Sequence, residues 1–393
     1  MKKLDVLYVP VNNQKITVGQ LGEHRGRFYF EFDTSFLNEG FFLSPFKLPM
    51  VAGLQEFTAL PGVFDDALPD GWGRLLMDRF LRQQGQNPAE FTALDRLAWM
   101  GDHAMGALVF HPPRDVSPDE HLKGFELGRL AQEAQEVFAG EAKGVLPELL
   151  RAGGSPGGAR PKVLAGLHGE TIFTGAEPYP PGYEAWLVKF FAKSDSPETG
   201  VREAAYADMA KRAGIEFPEH RIFELKEGRF FGVKRFDREG ERRIHMHSLA
   251  NLIGADFRVP GLDYQEIFKV VRLVTAQQEE VEKLFRLMVF NVLAHNRDDH
   301  SKNFAFLFTP AKGWVLAPGF DLTYTDGPGG EHTTTVAGEG KNPGKKELFS
   351  VGKGAGLKEA TMNRLYEQVR EAIDHWPKLA KAYGMKKTGV KLA

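Results

Sequence analysis

The stretch Asn296-Arg-Asp-Asp-His-Ser-Lys-Asn303 lies between two apolar runs. Before it, Val281 to Ala294 is long and apolar enough for a helix buried on most of its circumference. After it, Phe304-Ala-Phe-Leu-Phe308 reads as a buried strand. Charged and amide groups between two such elements belong on a loop, because burying them unpaired is costly. The chain then turns over Thr309–Gly313, returns through Trp314–Leu316 and reaches Asp321 in Gly319-Phe-Asp-Leu322. A strand–turn–strand hairpin brings its ends side by side, which predicts that Asp298, Asn303 and Asp321 converge. An acid can take a hydroxyl proton, while an amide oxygen and a second acid can hold Mg²⁺ against phosphates, as phosphoryl transfer requires. The Asp298-x-x-x-x-Asn303 interval matches the Asp-to-Asn interval of the protein-kinase catalytic loop, and Asp321 falls where that fold places its metal-binding Asp. An acidic surface loop with ordinary capping residues would carry a similar string.

Bulk properties exclude several classes. With 393 residues the chain can bury one large core or divide into two or three subdomains, the second being favoured. A hydrophobic fraction of 42% beside 26% charged residues fits a soluble globular protein rather than a disordered one. The formal net charge of −2 gives no global electrostatic case for nucleic acid. The absence of cysteine rules out disulfides, thiolate metal sites and cysteine nucleophiles, and fits a reducing, cytoplasmic setting. Asp5 and Pro10 interrupt the first apolar run, so Leu4–Val9 reads as a first strand, not a signal peptide. No segment is apolar for long enough to span a membrane.

Read in order, residues 1 to about 60 are rich in β signals. Leu4–Val9, Ile16–Leu21 and Arg27–Phe32 are separated by turn chemistry at Asn12-Asn13 and Gly22–Gly26. Pro69 and Asp70 suit a helix start, and Gly71 and Gly73 allow close backbone approach near Trp72. Asn87-Pro88-Ala-Glu90 predicts the start of a second helix. A short strand, Ala107–Phe110, precedes a linker at His111–Pro118, and residues 119–150 read as one or two amphipathic helices.

Next comes Arg151-Ala-Gly-Gly-Ser-Pro-Gly-Gly-Ala-Arg-Pro-Lys162. Alone it reads as a flexible loop. Opening a β-rich segment ahead of the acidic loop, it is placed to turn its N–H groups onto phosphates, with a lysine adding charge. It is not a Walker A loop, since no Lys-Ser/Thr follows at the required spacing. Trp186-Leu-Val-Lys189-Phe190 is a strand whose lysine either meets an anion or faces water from a sheet edge. The helix Thr199–Ala213 carries Glu203, the natural partner of Lys189 in a kinase-like lobe. The strand pair Arg221–Glu224 and Phe230–Lys234 runs into Val233-Lys-Arg-Phe-Asp-Arg238, where backbone groups can bond an adenine edge. His245-Met-His247 places two rings on one strand face, but no third zinc ligand has recognisable spacing. His300 suits the role of orienting Asp298 or the loop backbone. Residues 326–346 lack periodicity and predict a mobile activation- or substrate-loop segment. Met362–Ile373 reads as a closing helix, and the lysine-rich tail through Lys378, Lys387 and Lys391 as a solvated end.

These pieces resemble the HipA-type toxins of bacterial type II toxin–antitoxin systems, serine/threonine kinases with a protein-kinase-like core. Leu68-Pro-Asp-Gly-Trp-Gly-Arg74 is similar to the family's N-terminal signature, and Ser155-Pro-Gly-Gly-Ala-Arg-Pro-Lys162 to its S-x-x-G-A-x-x-K loop. Trp186–Lys189 resembles its ATP-lysine strand, Val233–Arg238 its hinge, and Asn296–Asn303 with Asp321 its catalytic and metal-binding set. The resemblance implies Asp298 as base, His300 supporting it, and Asn303 and Asp321 as Mg²⁺ ligands. It implies ATP contacts from Gly154, Gly157, Gly158, Ala159, Lys162 and Lys189, with Glu203 paired to that lysine. Lys234 and Phe236 would serve the adenine site, and Ser155 would be an inactivating autophosphorylation site, its added charge repelling ATP phosphates. Partners implied are a helix-turn-helix, HipB-like antitoxin and a cytosolic protein substrate such as an aminoacyl-tRNA synthetase, with DNA reached only through the antitoxin. Arg297 and Asp299 stand where the best-known members carry small or neutral residues, and His247-Ser248 replaces an acidic pair after the hinge.

The expected fold is therefore α+β: a protein-kinase-like two-lobed core with an N-terminal β-rich subdomain. The expected divisions are 1–112 for that subdomain, 113–152 for a helical connector, 153–238 for the N-lobe-like part and 239–393 for the C-lobe-like part. A small-molecule kinase on the same core and a catalytically silent binding module are the alternative functions.

Overall fold

Alternating apolar positions drive the first sheet. In β1 (Lys2–Val11), β2 (Gln14–His24) and β3 (Arg27–Phe32), Val6, Val18, Leu21 and Phe30 are fully buried, and Asp5, Thr17, Gln20 and Glu31 beside them are exposed. The sheet continues through β4 (Gln55–Phe57) on one side, while β5 (Leu108–His111) pairs antiparallel with β1. The computed structural model describes all residues except 1, 12–13, 39–40, 115–125, 143, 146, 154–157, 175–176, 193–194 and 387–393. The Asn12-Asn13 turn, residues 115–118 of the 111–118 linker, and Lys387 and Lys391 thus lie outside the described residues. The chain forms two units, residues 1–200 with 221–247, and residues 201–220 with 248–393.

The first unit also holds helices α1 (Gly62–Asp65), α2 (Gly71–Gln83), α3 (Ala93–Met100), α4 (Leu127–Ala139) and α5 (Pro147–Gly153). Its second sheet runs in the order β7-β6-β8-β10-β9, from β6 (Lys162–His168), β7 (Thr171–Phe173), β8 (Glu184–Lys189), β9 (His220–Leu225) and β10 (Gly228–Lys234). Trp72, Leu76, Leu130, Val163, Trp186 and Phe230 form one core, so α2 buries its apolar face in this second sheet's core. Two short strands, β11 (Arg238–Glu239) and β12 (Arg242–Arg243), return to the first sheet beside β1, and β13 (His245–Ser248) follows.

The second unit contains α6 (Thr199–Arg212) from Val201 onward, α7 (Leu249–Ile253), β14 (Leu262–Asp263), α8 (Tyr264–Thr275) and α9 (Gln278–Leu293). The hairpin of β15 (Ala305–Thr309) and β16 (Gly313–Leu316) follows, in the register Phe306↔Leu316 and Thr309↔Gly313. A short β17 (Thr334–Thr335) pairs in parallel with β14, and α10 (Lys345–Gly354), α11 (Glu359–Asp374) and α12 (Trp376–Ala382) complete the unit. As its apolar run predicts, α9 is buried on most of its circumference, with Glu282, Lys283, Arg286 and Leu287 half-buried on the remaining side.

Two local expectations need correction. Asn87 caps only a short 3₁₀ turn, Pro88–Glu90; the helix starts at Ala93 because Thr92 and Asp95 form a reciprocal capping box. Residues 326–346 are not a loose segment. Their lack of periodicity concealed fixed hydrogen bonds, including Thr333 N to Arg297 O at 3.1 Å, Gly338 N to Asp263 Oδ2 at 2.8 Å and His332 N to Gly340 O at 2.8 Å.

The segment after β10 holds the first unit's two sheets together through buried charge. Asp237 is fully buried and receives Arg235 Nε and Nη2 at 2.9 and 2.8 Å, Arg238 Nη1 at 2.8 Å and the Gly106 amide at 2.7 Å. Glu177 pairs with both arginines. Arg238 and Arg243 reach the carbonyls of Ala104 and Gly106 ahead of β5. Burial would push the Asp237 carboxyl up, but Arg235 and Arg238 hold it far below the usual carboxylate range. Its folded-state pKa lies below the unfolded one, so this stabilisation is present above about pH 4 and is lost as pH falls toward the depressed value. Replacing Asp237 by Asn removes one of the two buried carboxylates that pair with Arg235 and Arg238. The expected loss is about 3–5 kcal/mol, read as a lower urea midpoint; an unchanged midpoint would refute the staple.

Candidate active site

The loop after α9 is shaped by its backbone. Ala294 closes the helix on Phe290, His295 takes φ +52°, and Asn296 N returns to Asn291 O at 2.9 Å. Asn296 is buried, Asp298 is exposed and Asp299 is buried, so consecutive acids face opposite ways. Ser301–Asn303 forms a 3₁₀ turn that carries Asn303 back. Its side-chain Nδ2 donates to the Asp298 carbonyl at 2.6 Å, and its backbone N donates to His300 O at 2.8 Å. Spending the amide nitrogen on this bond leaves Oδ1 as the atom suited to a cation.

His300 Nε2 lies 3.8 Å from Asp298 Oδ1, and the Phe257 ring packs 5.5 Å from the His300 ring. Beyond the hairpin, Asp321 takes φ +51° and is half-buried. Burial pushes the Asp298 carboxyl above its ordinary pKa; His300 opposes the shift, while the charges of Asp321 and Asp299 add to it. The exposed side of Asp298 moderates that push. The charge of Asp321 thus bears on Asp298. One amide and one carboxylate near the loop suit a hard cation that keeps water and phosphate oxygens as its remaining ligands. Among the described residues no cluster of three His, Asp or Glu could cage a metal.

In the first unit, Trp72 clasps the exit of the glycine-rich loop. Its backbone N donates to Gly158 O and its indole Nε1 to Lys162 O, each at 2.9 Å. A Cβ on Gly71, where φ is +45°, would lie 2.4 Å from Gly158 O. One on Gly153, at the loop's entry, would lie 2.8 Å from the Trp72 indole nitrogen. The predicted close approach around Trp72 is therefore an approach to this loop. Residues 154–157, including the candidates Gly154, Ser155 and Gly157, lie outside the described residues.

Gly158, Ala159 and Lys162 form the loop's exit, with Ala159 exposed and Lys162 buried. Lys162 and Lys189 stand directly opposite each other on β6 and β8, on one face of the sheet. Lys189 also lies 5.8 Å from the Phe231 ring centre. Two lysines beside a glycine-rich turn suit an anionic ligand. Glu203 belongs to the second unit.

Other positions serve differently. Lys234 pairs with Glu184, and half-buried Phe236 lies between the buried Arg235 and Asp237. The alternating charges of Lys234–Arg238 were the signal for the buried ion cluster, which a reading of backbone groups alone misses. His245 Nε2 bonds Leu43 O at 2.8 Å, and His247 joins Asp66 at 2.6 Å and Ser44 at 3.0 Å. These rings secure the segment before β4 rather than a metal. The Ser44–His247–Asp66 chain is fully or almost fully buried, which denies it a substrate.

Trp72→Phe keeps the ring's burial but leaves the Lys162 carbonyl short of a donor. The expected destabilisation is about 1–3 kcal/mol, visible as a lower Tm; an unchanged Tm would contradict the clasp.

Residues 9–111 match the HipA N-terminal domain, and residues 154–376 match the HipA-like C-terminal domain. Two proteins of Sinorhizobium fredii, Y4dM and Y4mE, whose names class them provisionally as kinases, are 28% identical over 157 residues and 27% identical over 140 residues. These matches cover 36% and 33% of this chain, and only 37% and 33% of the relatives' own lengths. The fold is that of HipA from Shewanella oneidensis MR-1, solved with HipB and operator DNA, at a TM-score of 0.69 and 18% identity over 97% of this chain and 90% of that one. Carrying both domains in order, the chain belongs to the HipA family.

Proposed function

We propose that this chain is a Mg²⁺- and ATP-dependent kinase that transfers the γ-phosphoryl group to a serine or threonine hydroxyl. The observation that carries the reading is the Asp298–Asn303 loop, closed by the 2.6 Å bond from Asn303 Nδ2 to the Asp298 carbonyl, with the charge of Asp321 bearing on Asp298. Asp298, exposed and with a raised pKa, receives the proton of the attacking hydroxyl. Asn303 and Asp321 hold Mg²⁺, which supplies charge neutralisation along the nucleotide's phosphates. Lys162, Lys189 and the backbone of Gly158 and Ala159 hold the phosphates. The backbone of Lys234 and Phe236 serves the adenine. His300 limits the orientations open to Asp298. Catalysis then rests on positioning and charge, without a covalent enzyme intermediate.

Family membership and the Shewanella complex support a HipB-like helix-turn-helix partner, with DNA contacted through it. No helix among the described residues is long and apolar enough to cross a membrane, which accords with a proposed cytoplasmic site of action. The protein substrate would be cytosolic, an aminoacyl-tRNA synthetase being the family's precedent.

Intact mass after incubation with Mg-ATP tests the reading beside Asp298→Ala. The expected result is one added phosphate that maps to Ser155 and is missing in the variant. If phosphate passes to metabolites and never to protein, the small-molecule kinase replaces this reading. If ATP does not bind, the kinase reading fails altogether.

A further inference from the structure

We infer that Asp299 is a positioning residue for the neighbouring Asp298, holding the loop so that the proposed base alone faces outward. This rests on the kinase reading for its catalytic consequence, while its structural content stands separately. The Asp299 side chain is fully buried and accepts three hydrogen bonds. Tyr264 OH and His332 Nδ1 donate to Oδ2, each at 3.0 Å, and Thr334 N donates to Oδ1 at 3.2 Å. The Thr334 hydroxyl also donates to the Asp299 carbonyl.

The network reaches the other flank of Asp298 as well. Asn296 Nδ2 donates to Asn291 Oδ1 at 3.0 Å, Asn291 Nδ2 donates to Tyr264 OH at 2.9 Å, and Tyr264 completes the chain at Asp299. Each group in this chain gives one proton forward, and the carboxylate ends it, so the direction is set. Burial and the Asp299 charge keep the Tyr264 hydroxyl protonated, as a donor must be. Between the flanks, Arg297 O accepts from the backbone and hydroxyl of Thr333 at 3.1 and 3.0 Å. Residues 296, 297 and 299 are thus each tied down. Among the described residues, the nearest charged partner of the Asp298 carboxylate is His300, at 3.8 Å. Asp298 thus takes its aim largely from the residues that flank it, besides the Asn303 bond to its carbonyl and His300 beside its carboxylate.

The same carboxylate draws in the segment after Asp321, since His332 and Thr334 lie on it. One buried acid therefore fixes the loop that carries Asp298 and the chain that follows the second proposed metal ligand. An amide at this position would turn one accepting oxygen into a donor facing a donor.

The test compares wild type, Asp299→Asn and the milder Tyr264→Phe, which removes one hydroxyl and keeps the ring. Hydrogen–deuterium exchange over residues 296–303 should quicken in both variants while α11 exchanges as in wild type. In phosphotransfer assays kcat should fall about 10- to 100-fold. Affinity for ATP without Mg²⁺ should stay within about twofold, because neither residue is placed among the nucleotide contacts. Unchanged exchange over 296–303 in both variants would overturn the inference, whatever the activity. Quickened exchange with undiminished kcat would overturn the catalytic part. Absence of phosphotransfer in wild type, with the exchange result as expected, would instead fault the kinase reading.

Discussion

An ionised carboxylate taken out of water must be surrounded by donors, and both units are built around that constraint. In the first unit Asp237 gathers two arginines and the Gly106 amide, so the segment leaving the second sheet is bound to the approach to β5 in the first. In the second unit Asp299 gathers a tyrosine, a histidine and a backbone amide from α8 and the segment after the hairpin. Hydrophobic burial supplies most of the stability of each core, yet it is non-directional and does not choose which loop meets which. The buried acids make that choice, because each must find a particular set of donors.

Fixed surroundings are what the proposed chemistry requires. Phosphoryl transfer leaves the protein little to do beyond placing charge, so a misaimed acid or a displaced phosphate cradle costs rate directly. Asp298 is exposed at the loop's turn, and Trp72 holds the exit of the glycine-rich loop through its backbone and indole nitrogens while packing closely on Gly153 at its entry. At the first place the candidate reactive group is exposed while Asp299 beside it is buried; at the second, the Trp72 side chain is buried. The N-terminal helix α2 thus has two duties: its apolar face fills the core of the second sheet, and its first residues grip the loop.

Patterned features of the chain were legible in its sequence. Strand-rich segments between turn residues located β1 to β3, the apolar run located α9, and the hairpin turned at Thr309–Gly313 as expected. Motif order was enough to show the family and to bring Asp298 and Asn303 onto one loop. Long-range pairing was not legible. Nothing near Asp299 announces that His332 will bond it, since the two are brought together by folding alone. For the same reason residues 326–346, aperiodic and rich in glycine and threonine, look loose in sequence while their bonds reach Arg297 and Asp263. The Lys234–Arg238 run showed its charges but not their burial, which depends on Gly106 and Glu177 arriving from elsewhere.

The central claim is that Asn303 and Asp321 present a cation to nucleotide phosphates beside Asp298. Calorimetric binding of a non-hydrolysable ATP analogue, with and without Mg²⁺, tests it most directly in wild type and Asp321→Asn. Mg²⁺ should tighten binding to wild type by about tenfold or more and leave the variant's affinity nearly unchanged. Absence of nucleotide binding, or an equal Mg²⁺ effect in both proteins, would contradict the account.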